Sequence, residues 1–121
     1  MRSITVTLSH LPYPELNPNS RLHWTARSRV SKIAREEVAW LCKAQWHDDS
    51  PMMKARISYE FLLNDQRNRD VDNLLAASKP FTDGLIDAGV IFYDDAKHLE
   101  YGEVKATYTD KEQTIIIVEE I

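Results

Sequence analysis

The chain has 121 residues, 43% of them apolar and 28% charged, a composition typical of one globular domain, which we expect to span residues 1–121. No apolar run approaches the ~20 residues that cross a bilayer, and the first residues lack the apolar segment of a signal peptide. We therefore expect a cytoplasmic protein with no membrane partner. The single Cys42 excludes an internal disulfide and is expected to be a buried free thiol.

The net charge of −4 is distributed unevenly along the sequence. Residues 1–69 carry 11 basic and 7 acidic side chains, whereas residues 70–121 carry 4 basic and 12 acidic ones. In the first part, five basic side chains follow one another with no acid between them, namely Arg21, Arg27, Arg29, Lys32 and Arg35. Such a stripe favours contact with the phosphates of a nucleic acid, and a solvated helix face is the alternative.

The first third of the chain predicts a strand, a loop and a long helix. Alternating apolar residues predict a strand over 3–8, and three prolines make 9–22 a loop, either a substrate-binding segment or an ordered connector. From Thr25 to about Trp46 apolar residues recur at helical spacing, and the opposite face carries basic side chains. Trp24 precedes this helix and is expected to pack against it, with stacking on a base as the alternative.

The remainder of the chain predicts a second strand, a broken helix and a terminal hairpin. Alternation predicts the strand over 55–63. A helix is expected over 73–88, and Pro80 should kink or restart it because proline removes a backbone donor. Two final strands, over 99–108 and 113–119, are expected to pair as a hairpin. The order β-α-β-α-β-β predicts an α+β fold with helices packed on a mixed sheet.

The second helical segment and the residues around it contain six acids, namely Asp70, Asp72, Asp83, Asp87, Asp94 and Asp95. Carboxylates packed closely repel each other, by about 1 kcal/mol at 4 Å in water, unless a cation offsets their charge. Because the ligands are oxygens, without cysteine or paired histidine, such a cluster suits Mg²⁺ or Mn²⁺. The alternative is purely structural, with Asp70 and Asp72 as helix caps and Asp94 and Asp95 in a solvated loop.

One ordered motif joins these residues: Asp70-x-Asp72-Asn-Leu, then Lys79-x-x-x-Asp83, then the pair Asp94-Asp95. With this motif the chain resembles the RusA family of Holliday-junction resolvases, over most of its length. The resemblance implies a small α+β homodimer, often carried by phages or prophages, that cuts branched DNA with Mg²⁺. It also implies Asp70, Asp72, Lys79 and Asp95 as catalytic residues, with the metal held by Asp70, Asp72 and Asp95 and with Asp94 beside them.

The position of the lysine departs from the best-known form of the motif. There the essential lysine follows Asp-Asn-Leu almost directly, whereas here residues 75–78 intervene before Lys79. The extra residues amount to nearly one helical turn, so we expect Lys79 to return to the same face and reach the metal site. If it does not, the alternative function is a branched-DNA-binding module with the same fold and no cleavage.

The resemblance also implies the partner, a four-way DNA junction. We expect contacts to its phosphates from the basic helix and from the residues before Asp70, namely Arg21, Arg27, Arg29, Lys32, Arg35, Arg67 and Arg69. Phosphate contacts are largely independent of base sequence, so branched shape should govern recognition. Two matched cuts on a two-fold substrate predict a homodimer. Part of its interface should come from the C-terminal hairpin, whose last strand is apolar over 115–118, or from the long helix.

Overall fold

The computed structural model describes all 121 residues and confirms the predicted α+β fold. The strands are β1 (Ser3–Leu8), β2 (Ala55–Leu63), β3 (Leu99–Tyr108) and β4 (Gln113–Glu120), and the helices are α1 (Trp24–Lys43), α2 (Val71–Ala77) and α3 (Lys79–Asp87), with a 3-10 turn at Pro14–Leu16. The bounds of β1 and β2 are those predicted from alternation. The helices are too short or too polar to cross a bilayer.

The order of the strands in the sheet differs from the prediction. The four strands lie in the order β1-β4-β2-β3, so β4 lies between β1 and β2, antiparallel to both, and β3 pairs in parallel with the other side of β2. The expected hairpin of the last two strands is therefore wrong. Burial explains the arrangement: Ile116 and Val118 of β4 are fully buried, whereas β3 exposes Glu100, Glu103 and Lys105 and suits an edge.

The helices cover one face of this sheet. Every second residue of β2 is buried on that face, namely Ala55, Ile57, Tyr59, Phe61 and Leu63. They form one hydrophobic cluster with side chains of α1 and α3, and burial of apolar area at about 25 cal/mol per Å² is the main force that holds the layers together. The hydroxyl oxygens of Tyr59 and Thr82 lie 2.8 Å apart, which ties α3 to the sheet by a buried hydrogen bond.

The acidic segment is two short helices that meet at Ser78, and Pro80 lies in the first turn of the second, which confirms the predicted break. Of the two aspartates expected as caps, Asp70 is the one that caps α2, because its carboxylate accepts a hydrogen bond from the backbone N–H of Asp72 at 2.9 Å. The chain leaves α3 through Gly89, whose φ of 76° is the left-handed geometry that glycine adopts without strain.

Helices α1 and α3 approach closely at Gly84. A Cβ atom at this position would lie 2.5 Å from the carbonyl oxygen of Arg35 and 2.9 Å from the Cβ of Val38. Both distances are far below van der Waals contact, so only glycine permits this packing. The close approach fixes the shape of the surface groove that the two helices share.

The proline-rich loop after β1 is ordered against α1. The carboxylate of Glu37 accepts hydrogen bonds from the Tyr13 hydroxyl, at 2.9 Å, and from Nε2 of His10, at 2.8 Å. Arg27 Nη1 donates to the carbonyl oxygen of Glu15 at 2.9 Å. These bonds support the interpretation of the loop as an ordered connector.

Candidate active site

Lys79 is the first residue of α3, and its side chain joins two parts of the acidic motif. Its ammonium donates to Asp83 Oδ1 at 2.5 Å, one turn along the same helix, and to Asp94 Oδ2 at 2.7 Å, in the loop before β3. Burial lowers the pKa of Lys79, but the hydrogen bonds to Asp83 and Asp94 raise it by more, so the pKa lies above its ordinary value of 10.5. Lys79 is therefore a fixed positive charge at neutral pH.

A surface groove of about 560 Å³ has α1 on one side and α2 and α3 on the other, and Lys79 lines it. The wall formed by α1 carries Arg27, Ser28, Ser31, Lys32 and Arg35, and the opposite wall carries Lys79, Asp83 and Asp87. Three residues of the expected phosphate-binding stripe thus face the same cavity as the candidate catalytic lysine, namely Arg27, Lys32 and Arg35, and Glu36 lines it as well. Most of the residues that line it are polar or charged, which suits a charged substrate rather than an apolar ligand.

Two arginines of the stripe have partners within the chain. Arg35 forms a bidentate pair with Asp87, with Nε to Oδ2 at 2.5 Å and Nη2 to Oδ1 at 2.9 Å; the pair lowers the pKa of the Asp87 carboxyl. Arg27 Nη1 donates to the carbonyl oxygens of Glu15 and Asn17 in the proline-rich loop, at 2.9 and 3.2 Å. By contrast, Arg21 and Arg29 are exposed and form no ion pair, so their charge is available to a ligand.

The other two predicted DNA-binding arginines surround a single carboxylate. Asp65 accepts from Arg67 Nε at 3.1 Å and from Arg69 Nη2 at 2.8 Å. Asp65 therefore orders the segment that leads into Asp70. The side chain of Arg67 remains 74% exposed, whereas that of Arg69 is mostly buried.

The four carboxylates predicted as metal ligands fall into two pairs. Asp70 and Asp72 are exposed at the start of α2, and Asp70 uses one oxygen to cap that helix. Asp94 is bound by Lys79, and Asp95 is bound by the imidazole of His98, which lowers the pKa of the Asp95 carboxyl. All four remain on the surface layer of the molecule and not in its core.

The two pairs differ in how well they suit a metal ion. No group of three or more His, Cys, Asp or Glu side chains is arranged to hold one. Mg²⁺, however, is commonly held by one or two carboxylates, with water and substrate phosphate in its other positions. Asp70 and Asp72 offer exposed hard oxygens with no cationic partner and fit this chemistry, whereas Asp94 and Asp95 are each engaged by a neighbouring side chain.

Two features of the site go beyond the roles expected from the sequence. The sequence motif includes Asp83 but assigns it no role, and the structure shows that it binds Lys79. Its spacing of four residues from Lys79 is the spacing of helical ion pairs and could have indicated this contact. His98 lies against Asp95, and no pattern in the sequence marks it, because the bond depends on the path of the loop after Asp95.

Comparison with known proteins identifies the family of the chain. No protein-family model matches it. An uncharacterised protein of Xylella fastidiosa is 31% identical over 123 residues, which cover 98% of this chain and 76% of that protein. The crossover junction endodeoxyribonuclease RusA of Escherichia coli K12 is 33% identical over 112 residues, 90% of this chain and 88% of that enzyme. The enzyme of the same name from Enterobacteria phage 82 is 34% identical over 102 residues, 82% of each chain. The chain therefore belongs to the RusA family of crossover junction endodeoxyribonucleases.

Proposed function

We propose that this chain is a Mg²⁺-dependent endonuclease that cuts four-way DNA junctions and acts as a homodimer. The family relationship supports the reaction class, since the named relatives are crossover junction endodeoxyribonucleases. The observation that carries the proposal is the position of Lys79, which lines the groove beside α1 and contacts Asp94 of the motif at the same time. A strand bound in this groove would have its phosphates beside a fixed ammonium and near the acidic motif.

The residues of the chain have distinct roles in this proposal. Asp70 and Asp72 would hold Mg²⁺, which supplies polarisation of a phosphoryl oxygen and offsets charge on the leaving oxygen. Lys79 would place a positive charge against the phosphate as negative charge develops during hydrolysis, a type of stabilisation worth about 10²- to 10³-fold in rate. Asp95 is kept ionised by His98 and would be available to the site as an anion.

The basic wall of α1 supports the proposed substrate. Lys32 lines the groove with only a loose 4.0 Å contact to Glu36, and Arg21 and Arg29 are exposed outside the groove. Phosphate contacts of this kind position a strand but do not read its sequence. Binding should therefore depend on the shape of the DNA and weaken steeply as salt concentration rises.

The alternative, a branched-DNA-binding module without cleavage, is favoured by one observation. The ammonium of Lys79 is shared between two carboxylates, which reduces the charge that it presents to a phosphate. In this alternative the chain would bind a junction and leave it intact.

One experiment separates these functions. The protein is incubated with a synthetic four-way junction and with a linear duplex of the same sequence, in Mg²⁺ and in EDTA, and products are resolved on a denaturing gel. We expect paired cuts in the junction, only in Mg²⁺, and none in the duplex. Binding without cleavage would support the module. The absence of both binding and cleavage would refute both functions.

A further inference from the structure

We propose that Trp24 is a stacking platform for an unpaired nucleobase of the DNA, an inference that rests on the function proposed above. Trp24 is the first residue of α1, and its side chain is 72% exposed. The prediction that it packs against the helix is therefore wrong. A single exposed aromatic residue needs no explanation by itself, so the proposal depends on where Trp24 lies and on what surrounds it.

Trp24 continues the row of α1 residues that lines the groove. Residues separated by three or four positions share one face of a helix, and Trp24, Ser28, Ser31 and Arg35 follow this spacing. The last three line the cavity that also contains Lys79. Trp24 does not itself line the cavity, but this spacing places it one helical turn beyond Ser28, at the end of α1 towards which a bound strand would emerge.

The packing of α1 against α3 gives the separation between Trp24 and Lys79 as measured along the axis of α1. Gly84 lies against Arg35, and the Trp46 indole bonds to the carbonyl oxygen of Gly89, so the two segments run in the same direction. Lys79 then lies roughly seven residues from Trp24 along α1, or about 10 Å. At about 3.4 Å per nucleotide of a stacked strand, this is about three nucleotides.

The immediate surroundings of Trp24 suit nucleic acid. Arg21, three residues before Trp24, is exposed and forms no ion pair. The ring of His23 lies beside the indole, with centroids 5.7 Å apart, and His23 is itself fixed because its side chain accepts the backbone N–H of Thr25 at 3.2 Å. A free cation next to an oriented aromatic ring is the combination that binds unpaired bases.

A stacking platform at this position would contribute to substrate choice. Bases inside a duplex are covered on both faces by their neighbours, so an indole at the protein surface cannot reach them. Bases at a branch point can be unstacked, and a free aromatic face then binds them in a sequence-tolerant way. Trp24 should therefore favour branched over linear DNA.

The same helix provides a matched control. Trp40 is 74% exposed, but it lines a different surface groove together with Glu36 and Glu37. The affinities of the wild type, Trp24→Ala, Trp24→Phe and Trp40→Ala for a four-way junction and for a linear duplex are measured by fluorescence anisotropy in EDTA. We expect Trp24→Ala to weaken junction binding about 5- to 150-fold, Trp24→Phe to retain most of it, and Trp40→Ala to match the wild type. Duplex binding should be the same for all four proteins.

Tryptophan emission provides a test that does not depend on junction recognition. Oligothymidylate should quench the emission of the Trp40→Phe protein, which keeps Trp24, but not that of Trp24→Phe. Equal quenching in both variants, or equal loss of junction and duplex affinity in Trp24→Ala, would overturn the proposal. So would a change of oligomeric state in Trp24→Ala, because the indole would then contact a second copy of the chain. A wild type that binds junction and duplex equally would count against the proposed function, while quenching by oligothymidylate would still support stacking.

Discussion

At the scale of single residues, Lys79 connects parts of the chain that are distant in sequence. Its bond to Asp83 follows from local helix geometry, since the two residues are four apart. Its bond to Asp94 depends on the chain returning past α3 after Gly89. The sequence could predict the first contact, whereas the second is a tertiary contact that no local pattern specifies.

We predict that Asp83 positions Lys79 for cleavage. Lys79→Ala should lower the cleavage rate about 10²- to 10³-fold, as for loss of a charge-stabilising group, and Asp83→Asn should lower it less. If Asp83 acts through Lys79, the double variant will cleave no more slowly than Lys79→Ala alone, because the effects of contacting residues are not additive. Single-turnover rates and melting temperatures of the four proteins provide the measurement.

Asp87→Asn is the control for this cycle. Asp87 lies one turn beyond Asp83 in the same groove but pairs with Arg35. The fold-reductions in cleavage rate caused by Asp87→Asn and by Lys79→Ala should multiply in the double variant, as expected for residues without a shared partner. If Asp83→Asn and Lys79→Ala also multiply, Asp83 does not act through the lysine.

At the scale of elements, alternation and helical spacing are sufficient to locate the strands and helices but not to order them. Consecutive strands joined by a short turn usually pair as a hairpin, and this favours pairing of β3 with β4. The order of strands in a sheet instead depends on which strand can occupy a central position, with a paired neighbour on each side. The isoleucine-rich β4 meets this requirement, whereas the charged β3 does not.

The packing of α1 on α3 makes Gly84 irreplaceable. A methyl group there would meet the carbonyl oxygen of Arg35 at 2.5 Å, and backbone cannot move away as a side chain can. We predict that Gly84→Ala destabilises the protein by about 1–3 kcal/mol, the usual cost of overpacking. Thermal unfolding measures this, with Gly89→Asn as the control, since nothing lies within 4 Å of Gly89 and asparagine tolerates a positive φ. Equal stability of Gly84→Ala and wild type would contradict the packing described.

The loop after β1 should be held to α1 in a pH-dependent manner. His10 Nδ1 lies 2.7 Å from the carbonyl oxygen of Leu11, and Nε2 lies 2.8 Å from Glu37 Oε2. Both nitrogens must donate, which only the imidazolium does. Burial lowers the pKa of His10, but the Leu11 carbonyl and Glu37 raise it by more, so the pKa lies above its ordinary value of 6.5.

The sign of the effect follows from this raised pKa. The stabilising contribution of His10 is fully present below the unfolded pKa, near 6.5, and is lost as pH rises through the higher folded value. We predict that the wild type loses its stability advantage over His10→Gln as pH rises from about 6.5 through the higher folded pKa. Melting temperatures of both proteins across this range test the prediction, and a constant difference would contradict it.

At the scale of the whole molecule, the sheet has one uncovered face. Thr5, Thr7, Ile115 and Ile117 lie together there, with Thr5 opposite Ile117 and Thr7 opposite Ile115 in adjacent strands. Their exposure matches the expectation that the last strand carries surplus apolar surface. The expected source of that surface, a terminal hairpin, is wrong, because β4 lies inside the sheet.

We predict that this face joins two copies of the chain. A two-fold dimer would bring two sites to a near-two-fold junction through one self-complementary surface. Light scattering at micromolar concentration should give the mass of a dimer, and Ile117→Glu should shift it toward the monomer. The control is Lys111→Glu, outside the uncovered face and exposed in the turn before β4. A monomer that still makes paired cuts would contradict the dimer.

The candidate site is predictable from the sequence as a set of residues but not as an arrangement. The resemblance to the RusA family singles out Asp70, Asp72, Lys79 and the Asp94-Asp95 pair as candidates. It does not reveal that Asp94 is bound to Lys79, because side-chain partners depend on the folded path of the loop. Counting charges likewise identifies the basic stripe, but it does not reveal that Arg35 forms an ion pair with Asp87.

The most direct test of the proposed active site compares the wild type, Asp72→Asn and Asp110→Asn on one labelled four-way junction. Asp72 is proposed to hold Mg²⁺, whereas Asp110 is an exposed acid in the turn before β4. Binding is measured in EDTA and cleavage in Mg²⁺. We predict that Asp72→Asn binds the junction at least as tightly as the wild type, because a repulsive charge is lost, and does not cut it, while Asp110→Asn binds and cuts normally. Full cleavage by Asp72→Asn would contradict the assignment of the active site.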